Sequence, residues 1–277
     1  MSVLPERVAL VTGCSTGIGR ASALALQRAG VITYASARRP ETLAELEAAG
    51  CRTMALDVTD EAARADAVAA IEREQGRLDV LINNAGYAEY GPLEEISLER
   101  WRREFETNVF GAVGLIQLAL PGMRERGAGR IVNMSSMGGL MAFPLGAPYH
   151  ASKFALEALS DALRVEVAPF GIDVVVIEPG IIATGYADTA SAGLREVAEG
   201  PYGGLATSFL AAMTSIYQGR GAASPERVAD VVVRAVTAAR PRTRYKVTLN
   251  ARLLPAARSV LPDRMWDALL RRTFRAG

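Results

Sequence analysis

The chain has 277 residues, of which 50% are hydrophobic and 22% are charged, and its formal net charge is +1. This composition is typical of a soluble globular protein with one large α/β domain or two small ones. One histidine (His150) and two cysteines (Cys14 and Cys51) exclude a multi-histidine metal site, a zinc ribbon and a disulfide framework. We therefore predict no bound metal, and a Ser-His-Asp hydrolase would need His150 as its base.

Charge is distributed unevenly in both type and position. Only Lys153 and Lys246 are lysines among 31 cationic residues, so a retained lysine marks a position to examine. Residues 240–277 form a basic tail that holds ten cationic residues and two aspartates. Residues 1–13 contain neither a signal peptide nor a transmembrane helix, and two thiols suit a reducing compartment. We expect a cytoplasmic protein without a nucleic-acid partner.

Short β-branched runs alternate with longer helical stretches, as in the βαβ units of a parallel sheet. The predicted strands are Arg7–Thr12, Val31–Ala37, Arg52–Leu56, Val80–Asn83, Gly129–Met134, Ile172–Glu178 and Tyr245–Leu249. The predicted helices include Arg20–Ala29, Glu61–Glu74, Ser97–Arg126 and Ala147–Ala168. The fold class is therefore α/β, a doubly wound parallel sheet of about seven strands with helices on both faces. We interpret residues 1–277 as one domain, with a core over 5–250 and a mobile substrate lid over about 181–223.

A glycine-rich turn follows the first predicted strand and precedes an Ala-rich helix. Its glycines, at 13, 17 and 19, allow a sharp turn, close approach to a pyrophosphate and tight packing of helix on strand. Free N–H groups at the start of the helix attract an anion. The placement between strand and helix favours a dinucleotide site over a simple tight connection. The residues assigned to this part of the site are Gly13, Ser15, Thr16, Gly17, Ile18 and Gly19.

The end of the second predicted strand carries Arg38 and Arg39, where a fold that binds NAD places an acid for the ribose 2′-hydroxyl. Two guanidinium groups suit the 2′-phosphate of NADP instead, so we predict a preference for NADP(H), with NAD(H) as the alternative cofactor. The competing interpretation is that both arginines only face solvent. Asp57, followed by Val58, is placed to accept from the adenine amino group. The alternative for Asp57 is a helix N-cap, a role for which Thr59 competes.

Tyr149 and Lys153 lie four residues apart in a predicted helix and therefore project from one face. A phenol has an ordinary pKa near 10, and a neighbouring ammonium lowers that pKa by favouring the phenolate. Tyr149 then becomes a usable general acid/base, although such a pair also occurs as a plain surface pair. Ser136, at the carboxyl end of a strand, could orient a substrate carbonyl. Ser135 is the competing candidate.

Together these motifs resemble the short-chain dehydrogenase/reductase family, in its order and spacing, over roughly residues 6–184. Within the family, the runs Cys14–Gly19 and Tyr149–Glu157 are most similar to the hydroxysteroid and retinol dehydrogenase branch. The resemblance implies a three-layer Rossmann fold and hydride transfer between a nicotinamide cofactor and an alcohol or carbonyl. The matching elements are the glycine turn, Asn83-Asn84-Ala85-Gly86, Asn108, Ser136, Tyr149-x-x-x-Lys153 and Pro179-Gly180.

The resemblance also implies a role for each matching residue. Tyr149 is the acid/base, Lys153 lowers its pKa and binds the nicotinamide ribose, and Ser136 polarises the carbonyl. Asn108 holds a water in a proton relay to Lys153. The remaining cofactor contacts implied are Asn84, Ala85, Gly86, Pro179, Gly180, Ile182 and Thr184. The single histidine, His150, points about 100° away from Tyr149 on the helix and is interpreted as a packing or interface residue.

Apolar side chains surround the presumed site and favour a hydrophobic substrate such as a steroid, a retinoid or a long-chain aldehyde. Helix packing is the competing explanation of the same side chains. They are Met137, Leu140, Met141, Phe143, Pro144, Leu145, Tyr186, Leu205, Phe209, Leu210, Met213 and Ile216. Reductases of small or acyl-type ketones, sugar epimerases and a non-catalytic nucleotide sensor are the alternative functions. The intact Ser136, Tyr149 and Lys153 argue against a sensor.

Residues 251–277 form a basic amphipathic extension, predicted as two short helices interrupted by Pro255 and Pro262. The extension could lie on an anionic membrane, dock on another subunit or cover the substrate cleft, and packing on its own domain is favoured. The family resemblance implies a homodimer or homotetramer. Helices Ser97–Arg126 and Ala147–Ala168 are the predicted interface.

Overall fold

The computed structural model describes residues 7–183, 194, 197, 200–218 and 222–274. Seven strands form one parallel sheet in the order β3-β2-β1-β4-β5-β6-β7. This doubly wound order confirms the predicted fold class. The strands are β1 (Val8–Val11), β2 (Ile32–Ala37), β3 (Arg52–Ala55), β4 (Val80–Asn83), β5 (Gly129–Met134), β6 (Ile172–Glu178) and β7 (Arg244–Lys246).

Helices cover both faces of the sheet because successive strand residues point to opposite sides. The helices are α1 (Gly17–Arg28), α2 (Ala44–Ala48), α3 (Glu61–Gln75), α4 (Leu98–Phe105), α5 (Gly111–Arg126), α6 (Ala147–Val167), α7 (Gly203–Gln218), α8 (Pro225–Thr237), α9 (Leu249–Val260) and α10 (Asp263–Thr273). On β1, Ala9 and Val11 pack with α1 and α8, whereas Val8 and Leu10 pack with α3, α5 and α6.

Helix α1 begins at Gly17 and not at Arg20, and three further details of the predicted elements are wrong. The last strand ends at Lys246, because the side chain of Thr248 accepts from the N–H of Ala251 and starts α9 at Leu249. The stretch predicted as one helix, Ser97–Arg126, contains a π-helical segment at Glu106–Phe110 between α4 and α5. Pro255 lies inside α9 and does not interrupt it.

The segment interpreted as a lid is tied together at its two ends. Ile182 and Ala223 form a parallel bridge, and backbone hydrogen bonds join Ala183 to Ala223 and Ala223 to Ile181. Helix α7 occupies its second half. Thr184 and Tyr186, and the side chain of Ile216, lie outside the described residues, so the structure does not place these predicted contacts.

The two C-terminal helices pack on the domain itself, as favoured from the sequence. Ala251 of α9 and Trp266 of α10 are buried in a cluster with Met137 and Met141. Their outer side carries exposed apolar side chains, among them Leu253 and Val260. Among the described helices, none is long and apolar enough to cross a membrane.

Candidate active site

A cleft of about 1020 Å³ lies at the carboxyl ends of the strands, where open α/β sheets bind their ligands. It brings together residues as distant in the sequence as Gly13 and Ile182. The predicted cofactor residues that line it are Gly13, Ser15, Thr16, Gly17, Ile18, Gly19, Arg38, Asp57, Val58, Asn84, Ala85, Gly86, Tyr149, Lys153, Pro179, Gly180 and Ile182. Arg39 is exposed and does not line the cleft.

The glycine-rich turn needs glycine for both conformation and space. Gly13 has φ of 72°, in the left-handed region, and a Cβ there would lie 2.8 Å from the Cα of Ala85. A Cβ on Gly19 would overlap the carbonyl oxygen of Gly13. Asn84 fastens the turn, because its Nδ2 donates to the carbonyl oxygens of Thr12 and Gly13. At Gly13 and Gly19 the turn, called here the glycine cradle, therefore presents backbone atoms without side chains.

Helix α1 begins at this cradle with its first amides unoccupied by a cap. The N-cap residue, Thr16, is extended and makes no side-chain cap hydrogen bond. Such free N–H groups, with the positive end of the helix dipole, attract an anion. Bare backbone, open amides and the size of the cleft together fit the pyrophosphate of a nicotinamide dinucleotide. Residues 13–19 would hold that group.

The second strand presents one of its two arginines to the cleft. Arg38 lines the cleft and is exposed, so its guanidinium is free to meet a phosphate. The carboxylate of Asp57 accepts from the N–H and the hydroxyl of Thr59 while also lining the cleft. Neither Asp57 nor Thr59 caps helix α3. That role belongs to Asp60, whose side chain accepts from the N–H of Ala63.

Tyr149 sits in the first turn of α6, after Pro148, a residue whose fixed φ suits the start of a helix. Its ring stacks on that of Tyr90, with centroids 6.3 Å apart and planes at 29°. The Lys153 ammonium lies 5.9 Å from the centroid of the Tyr149 ring. The predicted pair is therefore on one helix face, at the cleft, as the four-residue spacing requires.

Lys153 is buried, with 6% of its surface exposed. Its Nζ donates to the carbonyl oxygen of Met134 at 2.9 Å, which fixes the side chain beneath the cleft. Burial lowers the pKa of Lys153 to about 8, against the opposing influence of the Glu104 and Glu157 carboxylates. An ammonium held this way has two further hydrogens to donate.

Asn108 lies in the π-helical segment and is 2% exposed. Its amide is oriented by both backbone groups of Tyr87: Oδ1 accepts from the N–H, and Nδ2 donates to the carbonyl. Nδ2 also contacts Ser152 Oγ, on the helix that carries Lys153. A Cβ on Gly86 would lie 2.9 Å from Asn108 Oδ1 and 3.6 Å from Lys153 Nζ. The two predicted relay residues thus border the same small space.

The two candidate serines differ in their surroundings. The Ser136 hydroxyl oxygen accepts from the N–H of Gly138, and a Cβ on Gly138 would lie 3.1 Å from the Tyr149 ring. Its hydrogen remains available for a substrate oxygen beside Tyr149. Ser135 lines the cleft. A Cβ added at Gly139 would contact the Ser135 hydroxyl together with Lys153 and Glu157, so this hydroxyl lies towards α6. Ser135 therefore lines the cleft and Ser136 does not, so the assignment of the substrate-facing hydroxyl to Ser136 stays a prediction.

His150 braces the loop that leads from Ser136 to α6. It is buried, with Nδ1 bonded to the carbonyl of Gly138 and Nε2 accepting from the N–H of Phe143. These partners assign the proton to Nδ1 in a neutral ring. Burial lowers the pKa of His150. The histidine is therefore a packing residue, as interpreted from the sequence.

Buried carboxylates around Lys153 are absent from the predicted site. Glu157 and Glu178 are both held by Arg244, at 2.9 Å and 3.0 Å. Burial raises the pKa of Glu178 to about 7, and Lys246, its partner in register on β7, opposes that rise. Glu104 is fully buried beside Asn108. Glu104 and Glu157 lie four residues from Asn108 and Lys153, and that spacing is the one sign of them in the sequence, whereas Glu178 ends the apolar strand β6 and has no such neighbour.

A cluster of apolar side chains, called here the apolar wall, packs against Tyr149. Tyr90 contacts Phe209 of α7 with ring centroids 5.7 Å apart, and Phe209 contacts Phe274 at 5.2 Å. Leu145 is buried in the same cluster at a φ of 65°. Of the side chains predicted to meet substrate, those packed with Tyr149 here are Phe143, Leu145, Leu205, Phe209, Leu210 and Met213.

Comparison with known proteins shows the family of the chain. Residues 7–194 match the model of the short chain dehydrogenase family. A 3-ketodihydrosphingosine reductase of Bacteroides thetaiotaomicron is 37% identical over 273 residues, covering 97% of this chain and 98% of that protein. The 17-beta-hydroxysteroid dehydrogenase type 1 of Homo sapiens is 36% identical over 278 residues, covering 94% of this chain and 82% of that protein.

Solved structures agree. A short-chain dehydrogenase from Streptomyces avermitilis has a TM-score of 0.79 and 33% identity, covering 98% of this chain and 99% of that one. A metagenomic short-chain oxidoreductase in complex with NADP has a TM-score of 0.69 and 27% identity, covering 88% of this chain and 97% of that one. The chain is thus an oxidoreductase of CH–OH groups, and it belongs to the short-chain dehydrogenase/reductase family.

Proposed function

We propose that the protein is an NADP(H)-dependent oxidoreductase that interconverts a hydrophobic alcohol and its ketone or aldehyde. The observation that carries this proposal is the placement of Tyr149 and Lys153 on one face of α6, at the cleft that also contains the glycine cradle. An acid/base beside a dinucleotide cradle is the arrangement that carbonyl reduction needs.

The proposed chemistry assigns each polar group one task. In the reductive direction Tyr149 gives its proton to the substrate oxygen, and Lys153 favours the phenolate that remains. Ser136 donates its free hydrogen to the same oxygen and so orients the carbonyl. Asn108 holds a water that returns a proton towards Lys153. The bound nicotinamide supplies the hydride.

The cofactor preference rests on Arg38. A guanidinium holds a phosphate with paired charge-assisted bonds, and no carboxylate occupies the end of β2 to hold a ribose hydroxyl instead. The related metagenomic oxidoreductase is in complex with NADP. Arg38 alone of the two predicted arginines lines the cleft, so we assign the 2′-phosphate to Arg38.

The proposed substrate class rests on the apolar wall. Tyr90, Phe209 and Phe274 form a chain of ring contacts that begins at Tyr149, so a bound carbonyl would extend into an aromatic surface. One relative is a reductase of 3-ketodihydrosphingosine and another is a hydroxysteroid dehydrogenase. Both names describe compounds that are largely hydrocarbon. We therefore propose a lipid-like ketone, with steroids, retinoids and long-chain aldehydes in the same class.

NADPH oxidation against a panel of carbonyl compounds tests this proposal. We expect turnover of long-chain or polycyclic ketones and at least a 100-fold loss of kcat in Tyr149→Phe, consistent with removal of a general acid. The variant should still bind NADPH, as measured by fluorescence. Turnover confined to small polar carbonyls would overturn the substrate class, and full activity in Tyr149→Phe would overturn the mechanism.

We also propose a homodimer or homotetramer that buries α4, α5 and α6. Phe110, Phe154 and Val165 are large apolar side chains that the single chain leaves 52%, 46% and 75% exposed. Such side chains are costly to leave in water and suit an interface. Light scattering on a size-exclusion column tests this: Phe154→Glu should yield monomers, and a wild-type monomer would contradict the proposal. The two buried free thiols favour the cytoplasm.

A further inference from the structure

The outer face of the two C-terminal helices carries exposed apolar side chains in stripes. Of the eleven large apolar side chains that the described part of the chain leaves exposed, five lie in α9 and α10, each between 45% and 77% exposed. On α9, Leu249, Leu253 and Val260 follow one another at spacings of four and seven residues, which places them on one helix face. On α10, Met265 and Leu269 are again four residues apart. Each helix therefore presents an apolar stripe to water.

The opposite faces of the same helices are packed on the domain. Ala251 of α9 and Trp266 of α10 are buried with Met137 and Met141. None of the five exposed side chains belongs to that cluster of described residues. The helices are thus anchored by their inner faces, and the fold does not need the apolar stripes on the outside. Exposed apolar side chains grouped in this way mark a surface that meets a partner or a membrane.

The charged residues beside the stripes are mostly cationic. Arg272 lies seven residues after Met265 and so on the same helix face. Of the two aspartates in these helices, Asp263 is already paired with Arg258 at 2.6 Å. The outer surface therefore combines exposed hydrocarbon with net positive charge, in a chain whose total charge is only +1. The exposed arginines are Arg252 on α9 and Arg264, Arg271 and Arg272 on α10.

A lipid surface with acidic headgroups complements both properties of this face. The apolar side chains of an interfacial helix enter the boundary between headgroups and acyl chains, and the arginines attract the acidic headgroups. A second copy of the chain is a poorer occupant, because a two-fold contact would set the same cationic face against itself. The charge pattern therefore favours a membrane.

We propose that helices α9 and α10 form a docking surface for membranes that contain anionic lipids. The same helices border the apolar wall, since Phe274, directly after α10, contacts Phe209 with ring centroids 5.2 Å apart and Phe143 at 6.1 Å. On the proposed function, a docked membrane would lie beside the site that takes a lipid-like ketone. The docking itself does not depend on that function.

Co-sedimentation of the full chain with vesicles tests the docking. Vesicles of phosphatidylcholine alone are compared with vesicles of equal parts phosphatidylcholine and phosphatidylglycerol. We expect a Kd at least roughly 10-fold lower on the anionic vesicles, and weaker binding at high salt, because salt screens the arginines. Equal binding to both kinds of vesicle, or binding to neither, overturns the proposal. The measurement uses neither cofactor nor substrate, whereas the proposed reductase activity is tested separately by Tyr149→Phe.

The charge of the face is tested by Arg271→Glu combined with Arg272→Glu, in the last turn of α10. This variant should raise the Kd on anionic vesicles by about 10-fold or more. The matched control is Arg28→Glu combined with Arg73→Glu, two exposed arginines in the last turns of α1 and α3. The control makes the same change in net charge and should bind nearly as wild type. Equal weakening in both variants would assign the attraction to the charge of the whole chain and would overturn the proposal.

The apolar stripe is tested by Leu253→Gln combined with Val260→Gln, which leaves the charge unchanged. Loss of two inserted side chains should raise the Kd on anionic vesicles by about 10-fold or more. Leu93→Gln, at a side chain that is 66% exposed outside these helices, should bind as wild type. Light scattering of the same proteins gives the alternative outcome. If the double variant binds vesicles as wild type but changes the oligomeric mass, a second copy covers this face and the proposal is overturned.

Discussion

Lys153 donates a 2.9 Å hydrogen bond to the carbonyl oxygen of Met134, the last residue of β5. This bond ties the helix that carries Tyr149 to the strand end that leads into Ser136. The ammonium is compact enough for a buried site, whereas a guanidinium is larger and planar. Position 153 therefore favours lysine over arginine, in a chain whose other cationic residues are all arginine except Lys246.

Lys153→Arg should consequently lower kcat by about 100-fold or more, the range for impaired general acid/base catalysis. Steady-state NADPH oxidation with the best substrate of the panel measures this loss. Lys246→Arg is the control, because Lys246 is partly buried on the edge strand β7, and it should retain activity. Equal activity in Lys153→Arg and wild type would contradict the assigned role of the ammonium.

Arg38→Asp should reverse the cofactor preference, since the aspartate repels a 2′-phosphate and can accept from a ribose hydroxyl. Loss of a charge-assisted contact predicts roughly a 10- to 100-fold rise in the Kd of NADPH. Isothermal titration with NADPH and NADH measures both affinities. Arg39→Asp is the matched control and should change the Kd much less, because Arg39 does not line the cleft. A stronger effect at Arg39 would reassign the phosphate contact.

Gly19→Ala should weaken or abolish cofactor binding. The added Cβ overlaps the Gly13 carbonyl and lies 2.5 Å from Asn84 Nδ2, so the cradle must distort. Overpacking of this kind typically costs about 1–3 kcal/mol. Thermal shift with and without NADPH should show a lower Tm and a smaller stabilisation by the cofactor. Gly200→Ala, whose Cβ would lie 3.5 Å from its nearest neighbour, should behave as wild type.

The serine pair is separable by substitution. Ser136→Ala should lower kcat by on the order of 100-fold, because it removes a donor aimed at the developing charge on the substrate oxygen. Ser135→Ala should have a much smaller effect, since that hydroxyl lies towards Lys153 and Glu157. Kinetics of both variants at saturating NADPH decide between them. A larger loss in Ser135→Ala would show that the competing candidate is the catalytic one.

His150 predicts a defined dependence of stability on pH. Burial lowers its pKa in the folded state below the ordinary value near 6.5, so protonation favours the unfolded chain. The contribution is complete above pH 6.5 and is lost as the pH falls through the folded value, because a charged ring cannot accept from the N–H of Phe143.

Thermal melts between pH 7.5 and 5 measure this effect. The Tm of the wild type should fall more steeply than that of His150→Gln, by on the order of 2 °C or more over this range. The chain has one histidine, so its titration by NMR is unambiguous. Parallel Tm curves for the two proteins would contradict the assignment.

Features encoded within a few residues could be predicted from the sequence. The glycine turn, the Tyr149–Lys153 pair and the strand β5 depend on local spacing, and the structure contains each of them. The end of β7 could not, because Val247 and Thr248 have strand-like side chains. What ends the strand is the bond from Ala251 N–H to the Thr248 hydroxyl. Threonine is common both in strands and at helix N-caps, so its identity alone does not decide between the two.

Other parts of the site depend on contacts between distant segments. Asn108 and Ser152 are 44 positions apart in the chain, and only the packing of the π-helical segment on α6 brings them into contact. Likewise, adjacent arginines cannot be told apart by composition, although the bend after β2 turns Arg38 to the cleft and Arg39 away. Sequence spacing carries no information on such pairings.

The parallel bridge between Ile182 and Ala223 joins the two ends of the segment interpreted as a lid. The two ends of this segment therefore lie side by side, held by backbone hydrogen bonds between residues 181–183 and Ala223. The cofactor cradle, Tyr149 and Lys153 all lie outside this segment. The bridge, and not the length of chain between its two residues, therefore sets the spacing of those ends, so we expect insertions between them to leave the glycine cradle in place.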